Sequence, residues 1–118
     1  MAFYSLQRGE RALELDELPP DVAMQDLALT LHDFGDLAWT MLQLDLVISV
    51  DTSAAHVAGA LGQPVWTLLS AVPDWRWGLT GETTPWYPTM RLFRQPRPGD
   101  WAAVVAQVGQ ALAHWAAE

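Results

Sequence analysis

The sequence predicts an α/β fold in which a parallel β-sheet is flanked by helices. Residues 46–50 and 65–69 are apolar almost without interruption, as expected of strands that helices cover on both faces. Segments with helical spacing of apolar residues alternate with these strands, and the connections between them are short. That alternation indicates parallel strands joined by right-handed crossovers.

The first third of the chain carries the weaker signals. Residues 2–6 predict a strand directly at the N-terminus, residues 10–18 a short helix stopped by Pro19 and Pro20, and residues 24–29 a second strand. Residues 33–44 then place apolar side chains three and four positions apart, which predicts an amphipathic helix with Asp33 as its N-cap.

The rest of the chain is more regular. Residues 54–61 predict a helix that ends at Gly62, where a left-handed C-terminal cap fits and Pro64 blocks continuation. The strand at 65–69 follows, and residues 70–89, with their prolines and tryptophans, predict a long structured loop. Residues 90–93 predict the last strand. Residues 100–117 predict a terminal helix capped by Asp100, whose apolar face consists of Val104, Val105, Val108, Leu112 and Trp115.

Composition limits the classes of function. The chain has 118 residues, which suits one domain, and a formal net charge of −8 with six cations. All six are arginines, and the negative balance disfavours a nucleic-acid partner. Cysteine is absent, which excludes disulfides and thiolate metal sites. There is no signal-peptide pattern and no apolar run of membrane-spanning length, so we expect a soluble cytoplasmic protein.

Polar residues cluster where the strand at 46–50 ends. Asp51, Thr52 and Ser53 come directly after it, and His56 falls in the first turn of the next helix. In a parallel sheet, ligands bind at the carboxyl ends of strands. The first amides of a helix lack intrahelical partners and carry positive partial charge. The pattern therefore predicts an anion site to which Thr52, Ser53 and His56 contribute donors.

Three other interpretations of this junction stay open from the residues alone. Asp, Thr and Ser at a helix start are also ordinary capping residues, worth about 1 kcal/mol. A Ser53, His56 and Asp51 hydrolase triad is disfavoured, because Thr52 and Ala54 stand where a nucleophile elbow needs glycines. A metal site is disfavoured too, since the histidines lie far apart in sequence.

Two stretches together are similar to a known family. They are LDLVISVDTSAAHVAGALGQPVWTLL, from residue 44, and VPDWRWGLTGETTPWYPTMRLFRQ, from residue 72. They closely resemble the C-terminal end of bacterial glycosyltransferases attached to tetratricopeptide repeats, relatives of the heptosyltransferase and glycosyltransferase family 9 group. The match runs from residue 3 through the terminal helix, so it is far more specific than a single short motif.

The resemblance implies a GT-B fold, in which two Rossmann-like domains face a cleft and the C-terminal one holds a nucleotide-sugar donor. Residues 1–118 would then be a single, partial donor-binding domain. In the family the segment that matches Asp51, Thr52, Ser53 and His56 lies beside the donor diphosphate. The matching loop faces the same cleft, which adds Asp74, Trp75 and Arg76 as donor or acceptor contacts. We expect the other loop aromatics, Trp77, Trp86 and Tyr87, to pack the loop onto the sheet.

The same resemblance implies what the chain lacks. Relatives carry a preceding acceptor domain, which holds the catalytic base, and a first strand that sits between the strands at 2–6 and 46–50. We therefore expect no catalytic residue, no metal and no cofactor in this chain, and no sugar transfer by the chain alone. The bare strand edges predict self-association. The alternative function is a non-catalytic Rossmann-like module that binds a ligand or associates with itself.

Overall fold

The computed structural model describes residues 4–5, 25–26, 34–78 and 80–116. The chain divides into two compact units, Met1–Thr40 and Met41–Glu118. In the first unit, strand β1 (Tyr4–Ser5) pairs in parallel with strand β2 (Gln25–Asp26). The rest of the predicted strands at 2–6 and 24–29, the helix at 10–18 and the Asp33 cap lie outside the described residues.

Helix α1 (Phe34–Leu42) precedes a three-stranded parallel sheet. The sheet contains strands β3 (Val47–Val50), β4 (Val65–Leu69) and β5 (Met90–Arg94), in that order. The apolar runs thus form parallel strands as predicted, and helices flank the sheet. The prediction that 46–50 is buried on both faces is wrong, because β3 is an edge strand in which Ile48 is 42% and Val50 47% exposed. The chain has the Rossmann-like α/β fold class that the sequence indicated.

Helix α2 (Ser53–Ala60) connects β3 to β4, and its C-terminus has the predicted glycine cap. Gly62 has φ 73°. The amide of Gln63 donates to the carbonyl of Ala58 and that of Gly62 to Gly59, both at 3.1 Å. These two bonds form a Schellman motif, which requires a left-handed residue after the helix.

Helix α3 (Trp101–Ala116) packs against β5, and Asp100 caps it by accepting a hydrogen bond of 3.2 Å from the Ala103 amide. Four buried side chains form the core on this face of the sheet: Trp66, Phe93, Val104 and Val108. The prediction that Val105 belongs to this face is wrong, because its side chain is 61% exposed. One residue along a helix turns about 100°, so Val105 points away from the sheet when Val104 points into it.

The loop between β4 and β5 contains a short 3₁₀ helix, Trp75–Trp77, and Arg94 is one of the side chains that tie it to the sheet. Arg94, the last residue of β5, donates to the carbonyl oxygens of four loop residues at 2.6 to 3.2 Å: Trp77, Gly78, Thr80 and Gly81. The loop is thereby fixed at the carboxyl end of the sheet.

Candidate functional site

The predicted junction residues stand at the carboxyl end of β3. Thr52 occupies the N-cap position of α2, but its side chain makes no capping hydrogen bond. Its hydroxyl instead lies 3.0 Å from the hydroxyl of Ser49. Among the described residues, no acceptor is paired with the first two amides of α2, those of Ser53 and Ala54. Side-chain capping therefore does not account for the polar cluster, and two donors remain at the helix start.

His56 connects three chain segments through its ring nitrogens. Its Nδ1 lies 3.0 Å from the hydroxyl of Tyr87. Its Nε2 lies 3.3 Å from Nη1 of Arg76 and 3.5 Å from Oδ1 of Asp51. A guanidinium only donates and a carboxylate only accepts, so Nε2 can pair with Arg76 when it is deprotonated and with Asp51 when it carries a proton. The Tyr87 hydroxyl can serve Nδ1 in either state, because it both donates and accepts.

Two aromatic rings hold the imidazole in place. The ring of Trp77 stacks on His56 with centroids 5.4 Å apart and planes inclined by 22°. The ring of Tyr87 meets the imidazole edge-on at 5.7 Å. Trp77 is buried, and its Nε1 donates to Oδ2 of Asp51 at 2.9 Å. Asp51 thus joins the end of β3 to the loop.

Asp74 and Arg76 form a local unit in the loop. Oδ1 of Asp74 accepts from the backbone amide of Arg76 at 3.2 Å and from its Nε at 3.1 Å. These two bonds hold the pKa of Asp74 below its ordinary value, the backbone bond having the larger effect. On the other side, the indole of Trp86 donates to the Arg76 carbonyl at 3.0 Å. The guanidinium is thereby aimed at His56.

A cavity of about 260 Å³ opens at this cluster. Its lining residues are His56, Trp75, Arg76, Trp86 and Tyr87. Trp75 is 81% exposed and Trp86 57% exposed, so the expectation that Trp86 packs the loop onto the sheet is wrong. A larger cavity of about 750 Å³ lies between β5 and α3, but it contains none of the predicted site residues. The smaller one is the candidate site.

The fold brings together most of the predicted side chains. Asp51, His56, Asp74 and Arg76 are linked by hydrogen bonds and ion pairs, and Trp75 lines the adjoining cavity. Thr52 and Ser53 stand beside them at the helix start. No hydrogen bond between Ser53 and His56 is present, so the arrangement does not support the hydrolase triad.

Sequence reasoning missed the hydrogen-bonding roles of Trp77 and Tyr87, which it assigned to packing alone. It counted Gly59 among the small residues that let the helix lie close to the sheet, and missed that Gly59 lies against the Tyr87 ring. A glycine inside a helix is a signal of close approach, but the other small residues around it hid that signal. Within the described residues, no group of histidine and carboxylate side chains could hold a metal ion. No helix in that part of the chain has the length and apolarity needed to cross a membrane.

Comparison with known proteins identifies the class of protein. The profile of glycosyltransferase family 9 (heptosyltransferase) matches residues 16–110, which include β3, α2, β4, β5 and the whole candidate site. The chain therefore belongs to glycosyltransferase family 9.

A curated relative is protein FlbA of Caulobacter vibrioides (strain ATCC 19089 / CIP 103742 / CB 15). It is 31% identical over 121 residues, an alignment that covers 99% of this chain and 20% of FlbA. The chain thus spans a fifth of that relative's length. No solved structure matches this chain.

Proposed function

We propose that this chain is the donor-binding part of a glycosyltransferase, and that the diphosphate of a nucleotide sugar binds at the start of α2. Family membership supports a sugar-transfer function. The observation that carries the placement is the convergence of His56 and Arg76, 3.3 Å apart, beside the helix start with its two amides that lack acceptors. Amides, an imidazole and a guanidinium are the groups that bind phosphate oxygens.

The two nearby carboxylates fit this proposal because both are engaged in holding other groups. Asp51 accepts from the indole of Trp77 and pairs with His56, and Asp74 accepts from Arg76. In this proposal neither faces the diphosphate. They keep the imidazole and guanidinium in position, while Thr52 and Ser53 add hydroxyl donors.

The size of the cavity supports placing only one portion of the donor there. Pockets that enclose a whole ligand usually measure about 300 to 1,000 Å³, and this one has about 260 Å³. We place a single ring of the donor there, against the exposed faces of Trp75 and Trp86. Flat rings stack favourably on such faces.

This site would supply one half of a transfer reaction. Donors fixed around the diphosphate stabilise the charge that develops as it leaves the anomeric carbon. We place the acceptor site and the catalytic base outside the 118 residues, in an acceptor domain of a longer repeat-linked enzyme. The chain alone is then expected to bind a donor without transferring its sugar.

Titration calorimetry tests the proposal with inorganic pyrophosphate and a set of nucleoside diphosphates. We expect binding by the native chain and a loss of about tenfold or more in Arg76→Ala, since charged hydrogen bonds contribute about 1.5 to 3 kcal/mol. Arg97→Ala is the matched control, because it removes the same charge from a side chain that is 83% exposed. A folded native chain that binds none of these diphosphates would contradict the proposal.

A second candidate function is a non-catalytic module that associates with itself. The observation that favours it is the position of β3 at the edge of the three-stranded sheet, with Ile48 42% and Val50 47% exposed. An apolar edge strand can pair with a strand of another chain. Sedimentation of the native chain and of Ile48→Lys tests this. The module predicts an oligomer that the substitution dissociates, and a native monomer at all concentrations argues against it.

A further inference from the structure

We propose that Tyr87 is a positioning residue for His56 and that Gly59 leaves the space into which the Tyr87 ring packs. The proposal deepens the donor site described above and rests on it. The Tyr87 hydroxyl lies 3.0 Å from Nδ1 of His56, across 31 positions of sequence. Tyr87 therefore holds the imidazole at Nδ1, while the other ring nitrogen, Nε2, faces Arg76 and Asp51.

Gly59 makes this position possible. A Cβ built on Gly59 would lie 2.6, 2.8 and 2.9 Å from the Cγ, Cδ1 and Cδ2 atoms of the Tyr87 ring. These atoms belong to the part of the ring nearest the backbone, so rotating the phenol does not relieve the overlap. Gly59 is buried on the second turn of α2, one turn after His56. Helix α2 thus carries both His56 and the glycine against which Tyr87 packs.

The geometry separates this role from simple packing. Trp77 already covers one face of the imidazole by stacking, and a phenylalanine at position 87 would fill the same space as the tyrosine ring. The hydroxyl adds what a phenylalanine lacks, a hydrogen bond at Nδ1 that restrains rotation of the imidazole about its Cβ–Cγ bond together with the Nε2 contacts to Arg76 and Asp51. That rotation decides whether Nε2 faces the side where Arg76 and the proposed phosphate lie. Because a phenol both donates and accepts, it holds the ring in either protonation state.

The decisive variant is Tyr87→Phe, which keeps the ring on Gly59 and removes one oxygen. We expect an unfolding midpoint close to that of the native chain, together with a change in the ¹⁵N shifts of the His56 imidazole in the ligand-free protein. The affinity for inorganic pyrophosphate should fall about three- to tenfold, as expected for one lost hydrogen bond. Unchanged His56 nitrogen shifts in folded Tyr87→Phe would overturn the proposal.

A second pair of variants tests the contact between Gly59 and the Tyr87 ring. Gly59→Ala should displace the phenol and perturb the same His56 signals. Gly109→Ala, also a glycine within a helix, should leave them unchanged because its added Cβ meets no atom within 4 Å beyond its chain neighbours and the nearby backbone of its own helix. Equal effects of the two substitutions on His56 would overturn the role of Gly59. If the native chain binds no pyrophosphate, the donor proposal fails, whereas the shift measurements still decide the role of Tyr87.

Discussion

The guanidinium of Arg94 donates a hydrogen bond of 2.6 Å to the carbonyl oxygen of Trp77. Trp77 in turn stacks on His56 and donates its indole hydrogen to Asp51. Arg94 thus supports the candidate site through Trp77, which contacts both His56 and Asp51. Partial burial lowers the pKa of Arg94, and its guanidinium donates to four backbone carbonyls.

Arg94→Lys should destabilise the fold although it keeps the charge. A lysine ammonium is a single point and cannot reproduce the fork of donors that meets four carbonyls. We expect the free energy of unfolding to fall by about 2 kcal/mol, which denaturant titration measures. Arg97→Lys is the control, because Arg97 is 83% exposed. A loss in Arg94→Lys no larger than in this control would show that the carbonyl bonds contribute nothing net.

Trp77→Phe should lower the free energy of unfolding more than the same substitution at the surface. The substitution removes the donor to Asp51 and leaves unfilled space around a side chain that is 3% exposed. We expect a loss of about 2 to 3 kcal/mol in the free energy of unfolding. Trp101→Phe, at a position that is 41% exposed, should cost less than about 1 kcal/mol. Thermal or denaturant unfolding of both variants makes the comparison, and similar losses would contradict it.

Two threonines should respond in opposite directions to replacement by valine. Thr67 is fully buried in β4, and its hydroxyl has no hydrogen-bond partner among the described residues. Thr67→Val should therefore stabilise the fold by about 1 kcal/mol. The hydroxyl of Thr89 donates to the Gln63 carbonyl at 2.7 Å, so Thr89→Val should destabilise it by about 0.5 to 1 kcal/mol. Unfolding midpoints that move in the same direction would argue against this account.

The ion pair between Asp74 and Arg76 should persist below pH 3.8, the ordinary pKa of the carboxyl. The backbone and side-chain bonds from Arg76 lower the pKa of the Asp74 carboxyl below its ordinary value of 3.8. A lowered folded-state pKa means that the contribution to stability is fully present above the unfolded value and is lost as the pH falls through the folded value. The stability difference between the native chain and Asp74→Asn should therefore shrink only below pH 3.8.

An NMR titration of the Asp74 carboxyl carbon checks this directly. In Arg76→Gln the midpoint should move partway back toward the ordinary value, because the backbone bond remains while the guanidinium bond is lost. A midpoint at or above 3.8 in the native chain would contradict the assignment.

The sheet could be predicted because its determinants are local. The segments at 46–50 and 65–69 are apolar except for Ser49 and Thr67, and Gly62 with Pro64 marks the end of a helix. These patterns gave the parallel strands and the cap of α2 almost to the residue. The prediction for Val105 was wrong because apolar composition alone does not decide which of two neighbouring valines lies on the buried face of a helix.

The site was predictable only in part. Asp51 and His56 could be placed at a strand end from sequence alone, and the family resemblance added Asp74 and Arg76. The partners that join different chain segments here lie 20 to 31 positions apart: Tyr87 and Arg76 for His56, and Trp77 for Asp51. Such pairings depend on how the loop folds back over α2, and no spacing rule encodes that path. Whether Asp51, Thr52, Ser53, His56, Asp74, Trp75 and Arg76 bind a donor stays a prediction.

The contact between Gly59 and Tyr87 also limits how this family can diverge. A methyl group at position 59 and a six-membered ring at position 87 cannot occupy the same space. Homologous chains with alanine or serine in place of Gly59 should therefore carry a smaller side chain in place of Tyr87. In such lineages the two sites are expected to change as a pair, and the imidazole would need a different neighbour to keep its orientation.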